Sequence, residues 1–293
     1  MNWKQILIIL SLIVLIVLII KQYNIAKYSE GFTQKAPYLL KTNNDIYDEF
    51  YANIYGRLFK RKSHCEFELN KIIDMTHPNE KSIFLEIGSG TGELLNCLNN
   101  VGFHAHGLES SPSMKKYSEI KYPNIIVHKN DATNPMAFDK GTFTHICCLD
   151  FTFYHMKNKE QFLKNCYHWL MPNGYLIIHL INRDKYDPTV PSANPLIDDS
   201  PQNYTSSRIM KTKIDFSDFT YSNSVKIKDE NVTITEKFTD ASTHNVRENE
   251  LTLKIENLEK IEKMCLNAGF LAKGKVKYIH DKEQYIYIFE KQM

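Results

Sequence analysis

Residues Ile83–Leu98, reading Ile-Phe-Leu-Glu-Ile-Gly-Ser-Gly-Thr-Gly-Glu-Leu-Leu-Asn-Cys-Leu, constrain the fold more than any other stretch of the chain. An apolar run ends near an acid, glycines follow at every second position, and a helical pattern then begins. That order specifies a buried parallel strand, a tight turn and a helix start, and so an α/β fold. Glycines at 88, 90 and 92 remove the side chains that would hold backbone amides away from a ligand. The new helix aims its free N–H groups at the same place, which suits a nucleotide-like ligand. Glu86 narrows the choice. A carboxylate two residues before the first glycine repels a pyrophosphate and attracts an amino group, so the loop fits an amino-acid-bearing cofactor better than NAD. The Gly-x-Gly-x-Gly spacing also departs from the dinucleotide Gly-x-Gly-x-x-Gly.

Further segments follow in order. His106–Met114 places Glu109 at the end of a second strand, 21 residues beyond Gly88. Ile125–Ala132 reads as a third strand with its turn, Phe143–Leu149 followed by Asp150 as a fourth, and Leu170–Leu180, with Met-Pro-Asn-Gly-Tyr, as a turn into a fifth. With these motifs the chain resembles the class I S-adenosylmethionine (SAM) dependent methyltransferases, over roughly residues 45–182 and again about 250–293. The resemblance implies a Rossmann-like, seven-stranded class I methyltransferase sheet and SAM as cofactor. It implies a cofactor loop of Glu86, Gly88, Ser89, Gly90 and Gly92, with Glu109 accepting from both ribose hydroxyls. Met114 is then an apolar wall, Asp131 beside Ala132 accepts from the adenine amino group, and Leu149 closes the fourth strand. Tyr55, with Tyr47 and Tyr51 as rivals at helical spacing, is placed to reach the methionine carboxylate. Several of these residues also have plain structural uses: Asp131 before Ala-Thr-Asn can start a turn, and each tyrosine can simply pack.

The amino end carries a second signal. Gln5–Ile20 is 16 residues without a charge, flanked by Lys4, Lys21, Trp3 and Tyr23. As a helix it extends about 24 Å, which snorkelling lysines and interfacial aromatics bring to membrane-spanning length. No small-residue cleavage site follows, so residues 1–23 are expected to be an uncleaved transmembrane anchor in contact with the lipid bilayer. Lys21, Lys27, Lys35 and Lys41 lie after it, and the positive-inside tendency then places the catalytic domain in the cytoplasm. Residues 24–44, with Gly31 and Pro37, read as a tether, and 45–293 as the main domain.

After the fifth strand, Asn182–Tyr204 reads as a long loop. Lys211–Tyr221, Val225–Phe238 and His244–Leu253 then alternate apolar and polar residues, so three antiparallel strands are expected as a lid inserted over about residues 205–253. Helix Leu258–Asn267 and strands Lys275–Ile279 and Tyr285–Phe289 complete the sheet. A net charge of +2 without a basic stripe gives no sign of a nucleic-acid partner. The six cysteines show no zinc-site spacing, no metal is expected, and reduced buried thiols are the expectation.

The reaction that the resemblance implies is in-line displacement of the SAM methyl group by an unidentified acceptor, an amine or oxygen of a small molecule. Ligands in open α/β sheets bind beyond the carboxyl ends of the strands, which makes Asp150 and His155 the candidate catalytic residues. The alternative is a membrane-tethered SAM-binding scaffold without transfer activity.

Overall fold

The computed structural model describes residues 3–5, 9–16, 34–59, 61–193, 201–278, 281 and 283–292. Among these, seven strands form one sheet in the order β11-β12-β6-β5-β2-β3-β4. They are β2 (Ile83–Ile87), β3 (His104–Glu109), β4 (Ile126–Lys129), β5 (Phe143–Cys148), β6 (Leu170–Ile181), β11 (Phe270–Lys277) and β12 (Gln284–Lys291). The first five run parallel, while β12 lies antiparallel to β6 and β11 to β12. Central β2 and β5 are buried along almost their whole length, as the near-continuous apolar runs of a sheet covered on both faces require.

The helices are α1 (Glu49–Phe59), α2 (Arg61–Thr76), α3 (Glu93–Val101), α4 (Pro112–Lys121), α5 (Thr152–His155), α6 (Lys159–Trp169) and α7 (Leu258–Asn267). One face of the sheet is filled by Leu69 and Ile72 of α2 and Leu94, Leu95 and Leu98 of α3, packed on Phe84, Cys147 and Ile177. The other is filled by Phe162 and Trp169 of α6 and Ile261 and Cys265 of α7, packed on Ile146 and Ile178. The three layers meet the size requirement of a single α/β core.

The lid differs from expectation in two ways. It has four inserted strands, β7 (Lys211–Asp215), β8 (Phe219–Lys228), β9 (Asn231–Asp240) and β10 (Val246–Lys254), because the expected first segment breaks between Asp215 and Phe219 and the expected second breaks at Asp229, which has positive φ. A fifth strand, β1 (Tyr38–Thr42), comes from the segment expected to be a tether and pairs parallel with β10, Tyr38 opposite Val246. Ahead of α1, a 3₁₀ turn covers Asn43–Ile46, so Tyr47 lies outside the helix that starts at Glu49 and carries Tyr51 and Tyr55.

The lid is held to α1 by apolar burial. Ile46, Tyr51, Ile54 and Leu58 pack on Phe219, Tyr221 and Phe238, each 5% exposed or less. At about 1.5–3 kcal/mol per large side chain, this cluster outweighs the Arg57–Asp218 ion pair. That pair is bidentate at 2.7 Å but about 40% exposed, and solvent screening leaves it about 1 kcal/mol or less.

The expected span Gln5–Ile20 lies partly outside the described residues. Residues 9–16 are helical and exposed. Among the described residues, no helix is long and apolar enough to cross a membrane.

Candidate functional site

A cleft of about 990 Å³, open to solvent, lies at the carboxyl ends of β2 to β5. Its floor is the loop after β2. Gly88, Gly90 and Gly92 all have positive φ, at 68°, 52° and 82°. A Cβ on Gly90 would meet nothing nearer than Gly88 O at 3.8 Å and Met114 Cε at 3.9 Å, so it would project into the cleft. A Cβ on Gly88 would instead strike Thr152 Cγ2 at 2.6 Å, where α5 crosses the loop.

Glu109, at the end of β3, is 7% exposed and faces this loop. Its two carboxylate oxygens accept from the backbone N–H groups of Gly90 (2.9 Å) and Ser111 (2.7 Å). Burial raises its pKa, opposed by these amides and that of Ser110. Each oxygen has two lone-pair directions, so both keep acceptor capacity for a ligand hydroxyl. Ser111 also caps α4 by accepting from Met114 N at 3.2 Å, which sets Met114 against the cleft wall.

Asp131 lines the cleft beside Ala132, and its Oδ1 accepts from Thr133 N at 2.7 Å and Thr133 Oγ1 at 2.6 Å. It therefore serves as the turn initiator its sequence context allows, while its carboxylate stays at the cleft edge. Glu86 is buried at the end of β2 and lines the same cleft, as do Ser89, Tyr55, Asp150 and His155. Two residues expected at the cofactor are not among the lining residues. Gly92 faces the other way: a Cβ there would meet Ile125 Cδ1 at 2.8 Å and Ser118 Cβ at 3.0 Å, so its small size serves packing between α4 and the loop. Leu149 is 2% exposed and belongs to the core beneath the sheet ends.

The structure brings Phe151, which the sequence did not single out, and Tyr47, named only as a rival of Tyr55, to the candidate residues Asp150 and His155. Asp150 and Phe151 are consecutive non-glycine residues at positive φ, 48° and 61°, a strained turn that lifts Asp150 and α5 over the strand ends. Tyr47 follows the 3₁₀ turn, and its carbonyl accepts from Ser111 Oγ at 2.5 Å. Its hydroxyl lies 3.3 Å from His155 Nε2. Burial, followed by the charges of Glu236, Glu109 and Asp150, raises the Tyr47 pKa, so it remains a neutral phenol. Burial, with Lys159 nearby, pushes His155 down to about 4, which leaves a neutral imidazole at physiological pH. Proximity of Tyr47 to His155 spans 108 positions of sequence, and no local pattern announces it.

Behind Tyr47 lies a buried polar network. Arg247, 3% exposed, donates to both Asp48 carboxylate oxygens (3.0 and 2.8 Å), to Asn249 Oδ1 (2.9 Å) and to Ile46 O (3.0 Å). Asn249 continues to Glu236 at 3.1 Å, whose other oxygen accepts from Tyr51 (3.1 Å) and Tyr221 (2.9 Å). The network joins β8, β9 and β10 to the segment that carries Tyr47. Among the described residues, no cluster of three His, Cys, Asp or Glu is arranged to hold a metal.

These residues suit SAM. Glu109 retains acceptors for ribose hydroxyls, Gly90 leaves room beside the loop, and the carboxylates offer partners for an ammonium and a sulfonium.

Comparison with known proteins agrees with this geometry. Residues 85–178 match the family described as a methyltransferase domain. An uncharacterized methyltransferase of Alkaliphilus oremlandii is 32% identical over 129 residues, 43% of this chain and 56% of that protein. The chain spans between 53% and 60% of the curated relatives it matches. Among solved structures, a SAM-dependent methyltransferase from Clostridium acetobutylicum superposes with a TM-score of 0.63 at 16% identity, covering 83% of this chain and 98% of that one. An amino pentose methyltransferase from Micromonospora echinaspora, solved with SAM bound, gives 0.59 at 17% identity, covering 83% and 96%. Residues 85–178 thus carry a methyltransferase-domain match, and the chain shares the fold of class I SAM-dependent methyltransferases.

Proposed function

We propose that this protein transfers the methyl group of SAM to an amine nitrogen of a small molecule. The observation that carries the amine is the charge of the cleft. Of its acids, Glu86, Glu109 and Asp131 are expected to face the cofactor and Glu93 pairs with Lys121, which leaves Asp150 on the acceptor side with His155, and none of the described lining residues is Lys or Arg. Such walls favour a cationic or neutral acceptor over one bearing a phosphate.

Bound SAM supplies a methyl group already activated on a positive sulfonium. The protein's part is alignment and exclusion of water. Glu109, itself fixed by two backbone amides, holds the ribose, and Asp131 stands at the edge for the base. The Tyr47 hydroxyl orients the acceptor, and the neutral His155 imidazole takes one proton from an acceptor that arrives as an ammonium, becoming imidazolium and freeing the nitrogen lone pair. The lid bears on the acceptor side through the buried network that holds the Tyr47 segment.

Full-length protein in detergent, given SAM with a tritiated methyl group and a panel of small amines, alcohols and phosphorylated amines, is expected to label amines preferentially. His155→Ala is expected to lower kcat by about 10²-fold or more while SAM affinity persists. Preferred labelling of phosphorylated amines would overturn the acceptor class. SAM binding without labelling of any acceptor would favour the scaffold reading.

Membrane attachment belongs to the same proposal. The 16-residue apolar run supports it, as does the exposure of residues 9–16, which nothing in the domain covers. In a eukaryotic membrane system the protein is expected to resist carbonate extraction and to gain no glycan at the Asn203 or Asn231 tripeptides. Release by carbonate would remove the anchor, and glycosylation would place the domain in the lumen.

A further inference from the structure

We infer that Cys65 and Cys97 form a redox-active pair, a site of disulfide formation that staples α2 to α3. Their sulfurs lie 2.7 Å apart, 32 positions apart in sequence, within a short shift of the bonded distance of about 2.05 Å. Both residues belong to the same apolar cluster, where α2 and α3 pack side by side. Cys65 is fully buried, whereas Cys97 is partly exposed. An oxidant therefore meets Cys97 first, with Cys65 directly behind it to resolve the product.

The other four cysteines do not compete. Cys147, Cys148, Cys166 and Cys265 are all buried, so none of them presents the partly exposed thiol that Cys97 offers an oxidant for the first step. Adjacent Cys147 and Cys148 point to opposite faces of β5: Cys147 packs with the α2 and α3 side and Cys148 with the α6 and α7 side.

The exchange balances with a small disulfide such as oxidised glutathione. The Cys97 thiolate attacks one glutathione sulfur, the glutathione S–S bond breaks, and one glutathione leaves as a thiol with the Cys97 proton. The Cys65 thiolate then attacks Cys97 Sγ in the mixed disulfide, and the second glutathione leaves with the Cys65 proton. Two cysteines are oxidised and one glutathione disulfide is reduced to two thiols.

The placement gives the bond a consequence. Helix α3 starts at the cofactor loop, and its Glu93 and Leu94 line the cleft. The staple ties this helix to α2 at Cys97, one turn beyond Glu93. Closing a loop of this length constrains the unfolded chain, and the oxidised protein is expected to melt roughly 5–10 °C higher than the reduced one.

The test uses full-length protein equilibrated with oxidised or reduced glutathione, quenched with acid, unfolded, alkylated and mapped without reduction. The expected result in oxidised glutathione is one cross-linked peptide pair joining Cys65 to Cys97, with the other four cysteines alkylated. A matching rise in Tm should be absent from Cys97→Ser. Recovery of Cys65 and Cys97 as alkylated thiols, or a cross-link through any other cysteine, would overturn the assignment. Wild-type mapping decides the matter even if the serine variant fails to fold.

Discussion

Gly90→Val is expected to remove measurable SAM binding, a loss of at least about 100-fold, while the domain stays folded. Gly90 sits at φ 52°, a conformation that β-branched residues resist. Its Cβ direction opens on the cleft, with 3.8 Å to the nearest atom, so the two valine methyl groups would occupy ligand space without striking the core. The Gly90 amide is also one of the two that hold Glu109, so a shift of the loop would cost the ribose acceptor as well. Calorimetric titration with S-adenosylhomocysteine, alongside thermal unfolding, checks the result. Retained affinity would mean that the loop does not border the ligand. The same substitution at Gly92 should act differently, by pressing on Ile125 and Ser118, and should lower Tm.

Arg247→Ala is expected to destabilise the protein by about 3 kcal/mol, at the lower edge of the range for breaking a buried ion pair. The lower edge applies because Asp48 is 31% exposed and can be rehydrated, whereas Asn249, fully buried, would lose its guanidinium donor. Urea unfolding should show a lower midpoint at unchanged slope. Because Arg247 also donates to Ile46 O, the turn that carries Tyr47 loses its anchor to the lid. Methyl transfer is therefore expected to fall more than SAM affinity does. Arg247→Lys keeps the charge but not the fork, and should recover only part of the stability. An unchanged urea midpoint for Arg247→Ala would show that the network contributes little.

Much of the cofactor cleft was legible in the sequence because its parts are contiguous. A strand, a loop and a helix start are each local events, set by apolar periodicity and by glycines at the positions that need positive φ. Glu86, Gly88, Gly90, Glu109 and Asp131 were read in this way, and the structure brings them together at one cleft, since each lies at or just after the end of a strand, where open α/β sheets bind ligands. Two expected residues stand apart from the described lining of the cleft, where local and long-range reasons coincide. Gly92 has the spacing of a cofactor glycine, yet it is small because α4 packs against it. Leu149 ends a strand as the motif suggests, yet it turns into the core.

The lid shows the other limit. Alternation announced antiparallel strands, but alternation cannot locate a break or name a neighbour. Segment Tyr38–Thr42 is five residues of half-exposed edge, and it became a strand only because β10, more than 200 positions away, offered an open edge.

From the sequence alone came the α/β class, the succession of the central strands along the chain and the glycine loop after the first of them, because hydrophobic period and glycine placement act over a few residues. Tertiary structure alone decided that Tyr47 meets His155, that Arg247 locks Asp48, and that Cys65 lies against Cys97. Each of these contacts joins residues distant in the chain, and side-chain chemistry at one position carries no record of which distant partner the packing will bring to it.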